Sequence, residues 1–573
     1  MNNKKCFHVS ADDFKKIPGS PIAYWVGEKM LKAFEGKKLT EIAKPRQGLA
    51  TGCNAIYLRS WYEISQNEMF IRCADRTESI QSHLKWYPYN KGGEFRKWYG
   101  NQEFVIDWEN DGERLKEYQG SVIRNRYTYF MESISWSKIS SGAPAFRFFP
   151  IGFIYDVAGT SIFTSDKTTQ LFLLGFCNST VAVAILKVLS PTLNFEVGHI
   201  ASLPIFRFFD GSVNVESNVT ELISLSRSDW DEYETSWDFK VNPLVREGWQ
   251  RSGAAMKLEA AWAAVFARRM EWAERMKALE EENNRLFIEA YGLQDELKPD
   301  VEWKEVSLTG NPYYRYKIDT PEKWRDSRSP IVPQEMEMVA RADAMRELIS
   351  YGMGVLMGRY SLEQEGLILA SQGETYKDYI ERVHGAGKIL PDDDGIIPAI
   401  ALDGSFFQDN LLHRMRDFLS AAFGNDALPG NLNFIEEALG CGFDKFLTDK
   451  FFDDHAKTYR KRPIYWLFES PKGYFRAFAY MHRMTGATAG LIRNKYLLSY
   501  IEHLERAFAA ESAKGAAMNS TERRRVKEIE KAIADCKAYD LALHDIAEKS
   551  IAIDLDDGVV ANWAKYKSVL AKI

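Results

Sequence analysis

The stretch AAMKLEAAWAAVFARRMEWAERMKALEEENNRLFIEAYGL, Ala254 to Leu293, constrains the fold of this chain more than any other. Ala, Leu, Met, Glu, Lys and Arg dominate it, residues that lose little side-chain freedom in a helix, and no proline interrupts about ten turns. Leu258, Trp262, Val265, Phe266, Met270 and Ala273 recur at helical spacing, and Gly292 supplies a C-terminal stop. On periodicity alone, a helix this long reads as a hairpin arm or a structural spacer.

The chain differs on the two sides of this helix. From Ala43 to about Arg207, short β-prone runs (AIYLRSWYEI, EFVIDW, GFIYDVAG, LFLLGF) alternate with Gly, Asn, Asp and Ser, the pattern of a mixed, mainly-β domain. TTQLFLLGFCNSTVAVAILKVL interrupts it with helical spacing, and Pro191 and Pro204 then limit helix formation. Asp300 to Pro333, charged and proline-containing, reads as a connector or an irregular subdomain. Met336 to Ile573 reads as mostly helical, with loops at VHGAGKILPDDDGIIP and NDALPGNLN. The expected fold class is therefore α+β.

Several function classes find no support in the residues. The six cysteines show no C-x-x-C pair and no histidine at metal-ligand spacing, so free thiols are expected rather than a disulfide framework or a zinc site. No G-x-x-x-x-G-K-[ST], H-E-x-x-H or G-x-S-x-G occurs. YGMGVLMGRYS is glycine-rich but filled with Met, Val and Leu, which favours helix packing. PDDDG and DLDDG lack the spacing of a calcium loop and read as solvated loops. Without a signal-peptide core or a long apolar run, the expected location is the cytoplasm, with no membrane partner. A formal charge of -6 leaves room for a local nucleic-acid surface.

Two stretches carry a possible binding chemistry. KPRQGLATGCNAIYLRSWYEI, Lys44 to Ile64, sets Gly48, Thr51 and Gly52 between basic residues and an aromatic run; it is compatible with a phosphate cradle, a nucleotide site or a tight turn into a strand. HLKWYPYNKGGEFRKWYGNQEFVIDWENDG, His83 to Gly112, interleaves Lys85, Lys91, Arg96 and Lys97 with six aromatic residues around Gly92-Gly93. Cations neutralise phosphates and aromatic or amide groups meet sugars and base edges, so this mixture suits nucleic acid. On composition alone, a hairpin with aromatic cross-strand pairs and solvated charges is the favoured account of it.

A set of longer strings is more specific: KIPGSPIAYWV, PRQGLATGCNAIYLRSWYEI, KWYPYNKGGEFRKWYGN, ISWSKISSGAPAFRF, GFIYDVAGTSIF, LSPTLNFEVGHIASLPI, SYGMGVLMGRYSLEQEGLI and KRPIYWLFESPKGYFRAFAYMHR. Together they resemble the C-terminal half of the PglX family, adenine-specific DNA methyltransferases of BREX phage-defence systems related to type II enzymes that fuse methylation and specificity. The resemblance covers nearly the whole chain. It implies residues 1–42 as a linker following an absent methyltransferase core, 43–210 as a target recognition domain, 211–299 as a helical spacer, 300–335 as a connector and 336–573 as a helical C-terminal domain.

The family's catalytic half carries an F-x-G-x-G loop for S-adenosylmethionine and an N-P-P-Y motif for the flipped adenine. Neither is present; Asn311-Pro312-Tyr313-Tyr314 lacks the second proline. The resemblance therefore implies no cofactor and no catalytic residue in this chain, with S-adenosylmethionine serving the complete enzyme. It implies double-stranded DNA as partner, together with an N-terminal methyltransferase half or chain and other BREX proteins. Arg46, Gln47, Thr51 and Asn54 on the glycine loop become DNA-contact candidates, as do Lys91, Arg96, Lys97, Trp98 and Asn101 on the second loop, and Lys138 and Arg147 further on. A protein-interaction module of a defence complex and a remnant of a truncated gene are the alternatives.

Overall fold

The computed structural model describes residues 17–19, 26–140, 142–190, 192–206, 212–250, 257–322, 331–383 and 387–573. The chain groups into two compact units built from separated segments. One comprises Met1–Ser60, Glu68–Asp231 and Phe266–Pro333; the other comprises Trp61–Asn67, Glu232–Val265 and Gln334–Ile573. The architecture is α+β, helix-rich with several small sheets.

In the first unit the strands run β1 (Lys37–Lys38), β2 (Lys44–Arg46), β3 (Leu58–Ser60), β4 (Trp86–Asn90), β5 (Phe104–Asp107), β6 (Ser133–Trp136), β7 (Phe146–Phe149), β8 (Ile154–Tyr155), β9 (Ser161–Phe163) and β10 (Pro204–Ile205). β1 pairs with β10, and two four-stranded sheets have the orders β2-β9-β6-β7 and β3-β5-β4-β8. All pairings are antiparallel except β4 with β8.

Strand side chains alternate between faces, and the first of these sheets uses both. Ile134, Trp136, Phe146 and Ile162 join a core with Leu173, Leu174 and Phe176 of helix Lys167–Cys177, Val215, Val219 and Leu222 of helix Ser212–Trp230, and Met276, Leu279 and Phe287 of helix Leu258–Ala290. Each such side chain fully removed from water contributes about 1.5–3 kcal/mol. Cross-strand register places Arg46, Ser161, Ser135 and Arg147 in one row of the other face. The second sheet has an aromatic core of Tyr87, Tyr89, Ile106, Trp108, Ile154 and Tyr155.

The expected long helix is present as Leu258–Ala290, with Gly292 in the left-handed region (φ +65°) just past its end. Leu258, Trp262, Val265 and Ala273 are buried as their spacing predicts. So are Glu280, Asn283 and Asn284, which a spacer reading leaves unexplained. Part of the 300–335 segment also belongs to the first unit's core, through Val301, Trp303, Val306, Leu308 and Tyr313.

The second unit is mostly helical as expected, but it also holds a sheet of order β11-β13-β12, formed by β11 (Ile396–Pro398), β12 (Tyr465–Glu469) and β13 (Arg476–Tyr480). Tyr465, Trp466, Leu467 and Phe468 are all buried. A strand covered on both faces loses its two-residue alternation and cannot be told from a buried helix by period.

Among the described residues no single helix is long and apolar enough to cross a membrane; Lys167–Cys177 and Thr180–Leu189 pass only as a pair, bent by 70°. Cys53, Cys73, Cys177, Cys441 and Cys536 are free thiols, as expected, while Cys6 lies outside the described residues. Burial pushes the thiols of Cys73 and Cys536 up to about 12, which makes them poor nucleophiles.

Candidate nucleic-acid interface

The glycine loop is a close-packed turn. A Cβ on Gly48 would lie 1.9 Å from the carbonyl oxygen of Tyr155, so only glycine fits there. The neighbouring amides are already engaged: Leu49 N–H donates to Tyr155 O (2.9 Å) and Ala50 N–H to Val122 O (2.9 Å). The amides of Leu49 and Ala50 are therefore spent on the fold. Gly52, in the left-handed region at φ +74°, turns the chain into the short helix Asn54–Tyr57. The buried Thr51 hydroxyl donates to Asn54 Oδ1 at 2.6 Å, while Asn54 itself is exposed.

This turn holds a second loop that the sequence reading missed. Val122 N–H returns a hydrogen bond to Ala50 O (2.8 Å), and Asn125 Nδ2 donates to Gln47 O (2.9 Å). The half-buried Arg46 reaches across with Nε to Tyr127 Oη at 3.1 Å. Asn125 adopts the left-handed conformation (φ +51°) and starts the tight turn Arg126–Thr128, whose Thr128 hydroxyl donates to Asn125 O at 2.7 Å. Arg124 and Tyr127 are left pointing outward, Tyr127 with 67% of its surface exposed. SVIRNRYTYFM interleaves cations and aromatics as His83–Gly112 does, and that signal would have found it.

The second predicted loop mostly faces inward. Arg96 is 2% exposed and donates through Nη2 to Asp229 Oδ2 (2.8 Å), Nη1 to Thr309 Oγ1 (2.9 Å) and Nε to Tyr99 O (2.8 Å). Lys97 and Trp98 both bind the carboxylate of the buried Glu280, Lys97 through Nζ and Trp98 through Nε1 at 2.6 Å. Arg147 is fully buried; it donates to Arg96 O (3.0 Å) and Ser137 Oγ (2.7 Å), and burial pushes its guanidinium down to about 10. Arg96, Lys97, Trp98 and Arg147, expected at a DNA contact, are buried here and their polar groups are engaged within the fold. Thr51 is likewise buried.

The remaining candidates are partly exposed but engaged. Lys91 Nζ pairs with Asp156 (2.6 Å), whose carboxylate also accepts from Tyr89 Oη. Asn101 closes the Gly92-Gly93 turn by donating to Glu94 O (2.9 Å). Lys138 pairs with Glu196 (2.9 Å). The structure thus gathers Arg46, Gln47, Thr51 and Asn54 around one turn and ties Lys91 and Asn101 to others.

The N-P-Y-Y string does not fit a flipped adenine. Asn311 is fully buried, its Nδ2 donates to Trp303 O (2.8 Å) and Val306 O (2.9 Å), and its Oδ1 caps helix Pro312–Arg315. The amide is spent on the fold. Asp392 in PDDDG is similar: Oδ1 accepts from the amides of Asp394, Gly395 and Ile396, so it organises a turn.

No family model matches the chain. It is 35% identical over 587 aligned residues to adenine-specific methyltransferase PglX of Lacticaseibacillus casei (strain Zhang), an alignment that covers 98% of this chain and 45% of that protein. It is 32% identical over 602 aligned residues to adenine-specific methyltransferase BrxX of Escherichia coli O9:H4 (strain HS), covering 100% of this chain and 46% of that one. The chain therefore spans about half the length of the curated relatives it matches.

Proposed function

We propose that this chain, homologous along its whole length to about half of two adenine-specific methyltransferases, is the DNA-recognition half of such an enzyme, the C-terminal one, acting in phage defence of the BREX type. The observation that carries this reading is the pair of interlocked turns at Arg46–Asn54 and Val122–Thr128, which presents Arg46, Asn54, Arg124 and Tyr127 from a rigid β scaffold. Rigid placement matters because base readout in the major groove depends on donor and acceptor geometry, while phosphate contacts set the register. Gln47, Lys91, Asn101 and Lys138 are secondary contacts in this reading, and Arg96, Lys97, Trp98 and Arg147 position the loops that carry the others.

Methyl transfer to adenine N6 falls to a second half or chain that supplies S-adenosylmethionine and extrudes the base. No step of that chemistry is assigned to residues here. Partners other than DNA are that catalytic half and further defence proteins.

Selection of the purified chain against random duplex DNA at two salt concentrations, followed by sequencing of the retained fraction, tests the reading. The expected result is enrichment of a short asymmetric motif that is lost or relaxed in Arg46→Ala and Tyr127→Ala, both of which retain the wild-type melting transition. Absence of enrichment with weak binding even at low salt would overturn it and favour a protein-interaction role.

A further inference from the structure

One charged cluster in the first unit adjoins the Val122–Thr128 turn through Arg126. Residues Asn110, Asp111 and Gly112 all lie in the left-handed region, at φ +49°, +62° and +74°. Such conformations cost on the order of 1–3 kcal/mol for non-glycine residues and persist only where surrounding contacts hold them. What holds this one is the Asp111 carboxylate, itself 5% exposed. Arg76 grips it with Nε (3.0 Å) and Nη2 (2.7 Å), Lys116 Nζ reaches it at 2.7 Å, and Arg126 reaches it through Nη2.

Three cations thus share one buried anion. Burial alone would push the Asp111 carboxyl up, but the hydrogen bonds from Arg76, Lys116 and Arg126 hold it down at about 2, so it stays ionised. The set keeps a surplus of two positive charges. That surplus faces water: the side chains of Arg76, Lys116 and Arg126 are 57%, 35% and 32% exposed. Arg126 Nε is buried with no hydrogen-bond acceptor among the described residues. Arg126 also immediately precedes Tyr127, so the cluster is continuous with the interlocked turns.

We infer that Arg76, Lys116 and Arg126, gathered by Asp111, form a seat for one backbone phosphate of duplex DNA, which sets the register of the Arg46–Tyr127 lip. This rests on the recognition reading above. Asp111 holds the cations in place before DNA arrives, so little side-chain freedom is lost on binding, and guanidinium groups match phosphate geometry. The seat carries no sequence information.

The test is duplex binding as a function of salt, using the full chain, with Arg76→Gln, Lys116→Gln, the double variant, Arg76→Lys, and Arg275→Gln as a surface control paired to Glu221 elsewhere in the unit. The double variant is expected to lower affinity uniformly across sequences and to reduce the slope of log K against log salt by about 1. Arg76→Lys and Arg275→Gln should keep the wild-type slope and the wild-type melting transition; the glutamine variants strip Asp111 of partners and are expected to melt lower, so their binding is read at a temperature where circular dichroism shows them folded. An unchanged slope in the double variant, while the wild type binds, overturns the seat and leaves the recognition reading standing. A changed motif makes these residues base readers and overturns it too. Equal binding and equal slope loss with duplex RNA would make the ligand polyphosphate in general, which overturns the DNA assignment. No duplex binding by the wild type removes both readings together.

Discussion

Arg96 shows how the same residue can satisfy a functional pattern and a structural one. Its guanidinium donates to Asp229, whose carboxylate in turn accepts the amides of Thr309 and Gly310 at 2.7 Å each, so one ion pair joins three distant segments of the first unit. Removing one partner of a buried pair leaves an uncompensated charge and costs about 3–5 kcal/mol. Arg96→Ala is therefore expected to lower the unfolding free energy from urea curves by that order while leaving any selected DNA motif unchanged; a retained free energy with a lost motif would return Arg96 to the interface. Gly48→Ala is the companion case: overpacking against the Tyr155 carbonyl costs about 1–3 kcal/mol, read by the same unfolding curve, with the lip distorted as well. The interleaving of Lys and Arg with aromatic residues was legible in the sequence, but its direction was not. Lys97 and Trp98 turn inward because Glu280, more than 180 positions away, waits for both. Local composition carries no trace of such a partner.

At the scale of elements, the long helix was legible to its terminal glycine, since spacing and propensity agree over its whole length. Its role was less so. Glu280, Asn283 and Asn284 look like solvated positions until the segments they bind are placed: Asn283 Nδ2 donates to Gly175 O of helix Lys167–Cys177, and Asn284 Oδ1 accepts from Thr180 N at the start of helix Thr180–Leu189. In the second unit, helix Phe451–Thr458 is joined to the start of β12 by a titratable group. His455 Nε2 accepts the amides of Ile464 and Tyr465, at 3.1 Å each. Burial, with a smaller contribution from the Arg359 charge, pushes this imidazole down to about 3. Its folded pKa is thus depressed below the ordinary value near 6.5, so the unfolded chain takes up the proton first as pH falls. The stability it contributes is fully present above pH 6.5 and is lost as pH falls from there toward 3. His455→Gln removes that titration. The variant, less stable than the wild type at pH 7.5, should lose less on acidification, the two unfolding free energies converging by about 1.4 kcal/mol per pH unit below 6.5. Parallel curves between pH 7.5 and 5 would show that His455 does not titrate this way.

At the scale of the whole chain, the long ordered strings were more informative than any short motif, because they pointed to adenine-specific methyltransferases, and two of these align with nearly every residue. What they could not convey is a division of chemistry within those relatives, since less than half of each is matched. The structure bears on this through Asn311, the nearest look-alike to a catalytic asparagine. Its amide is buried and committed to carbonyls and to a helix cap, and a side chain so committed cannot also grip an adenine without undoing the segment it caps. The purified chain is therefore expected to incorporate no methyl group from labelled S-adenosylmethionine into plasmid DNA, and to show no melting shift with that cofactor, because a ligand that binds the folded state must stabilise it. Co-expression with a chain bearing F-x-G-x-G and N-P-P-Y is expected to give N6-methyladenine at the motif selected by this chain alone, and Arg46→Ala should relax that motif in both assays. Methyl incorporation by the isolated chain would overturn the division and place a cofactor site among residues that no motif here marks. Methylation by the pair at a motif unrelated to the selected one would instead assign target choice to the catalytic half.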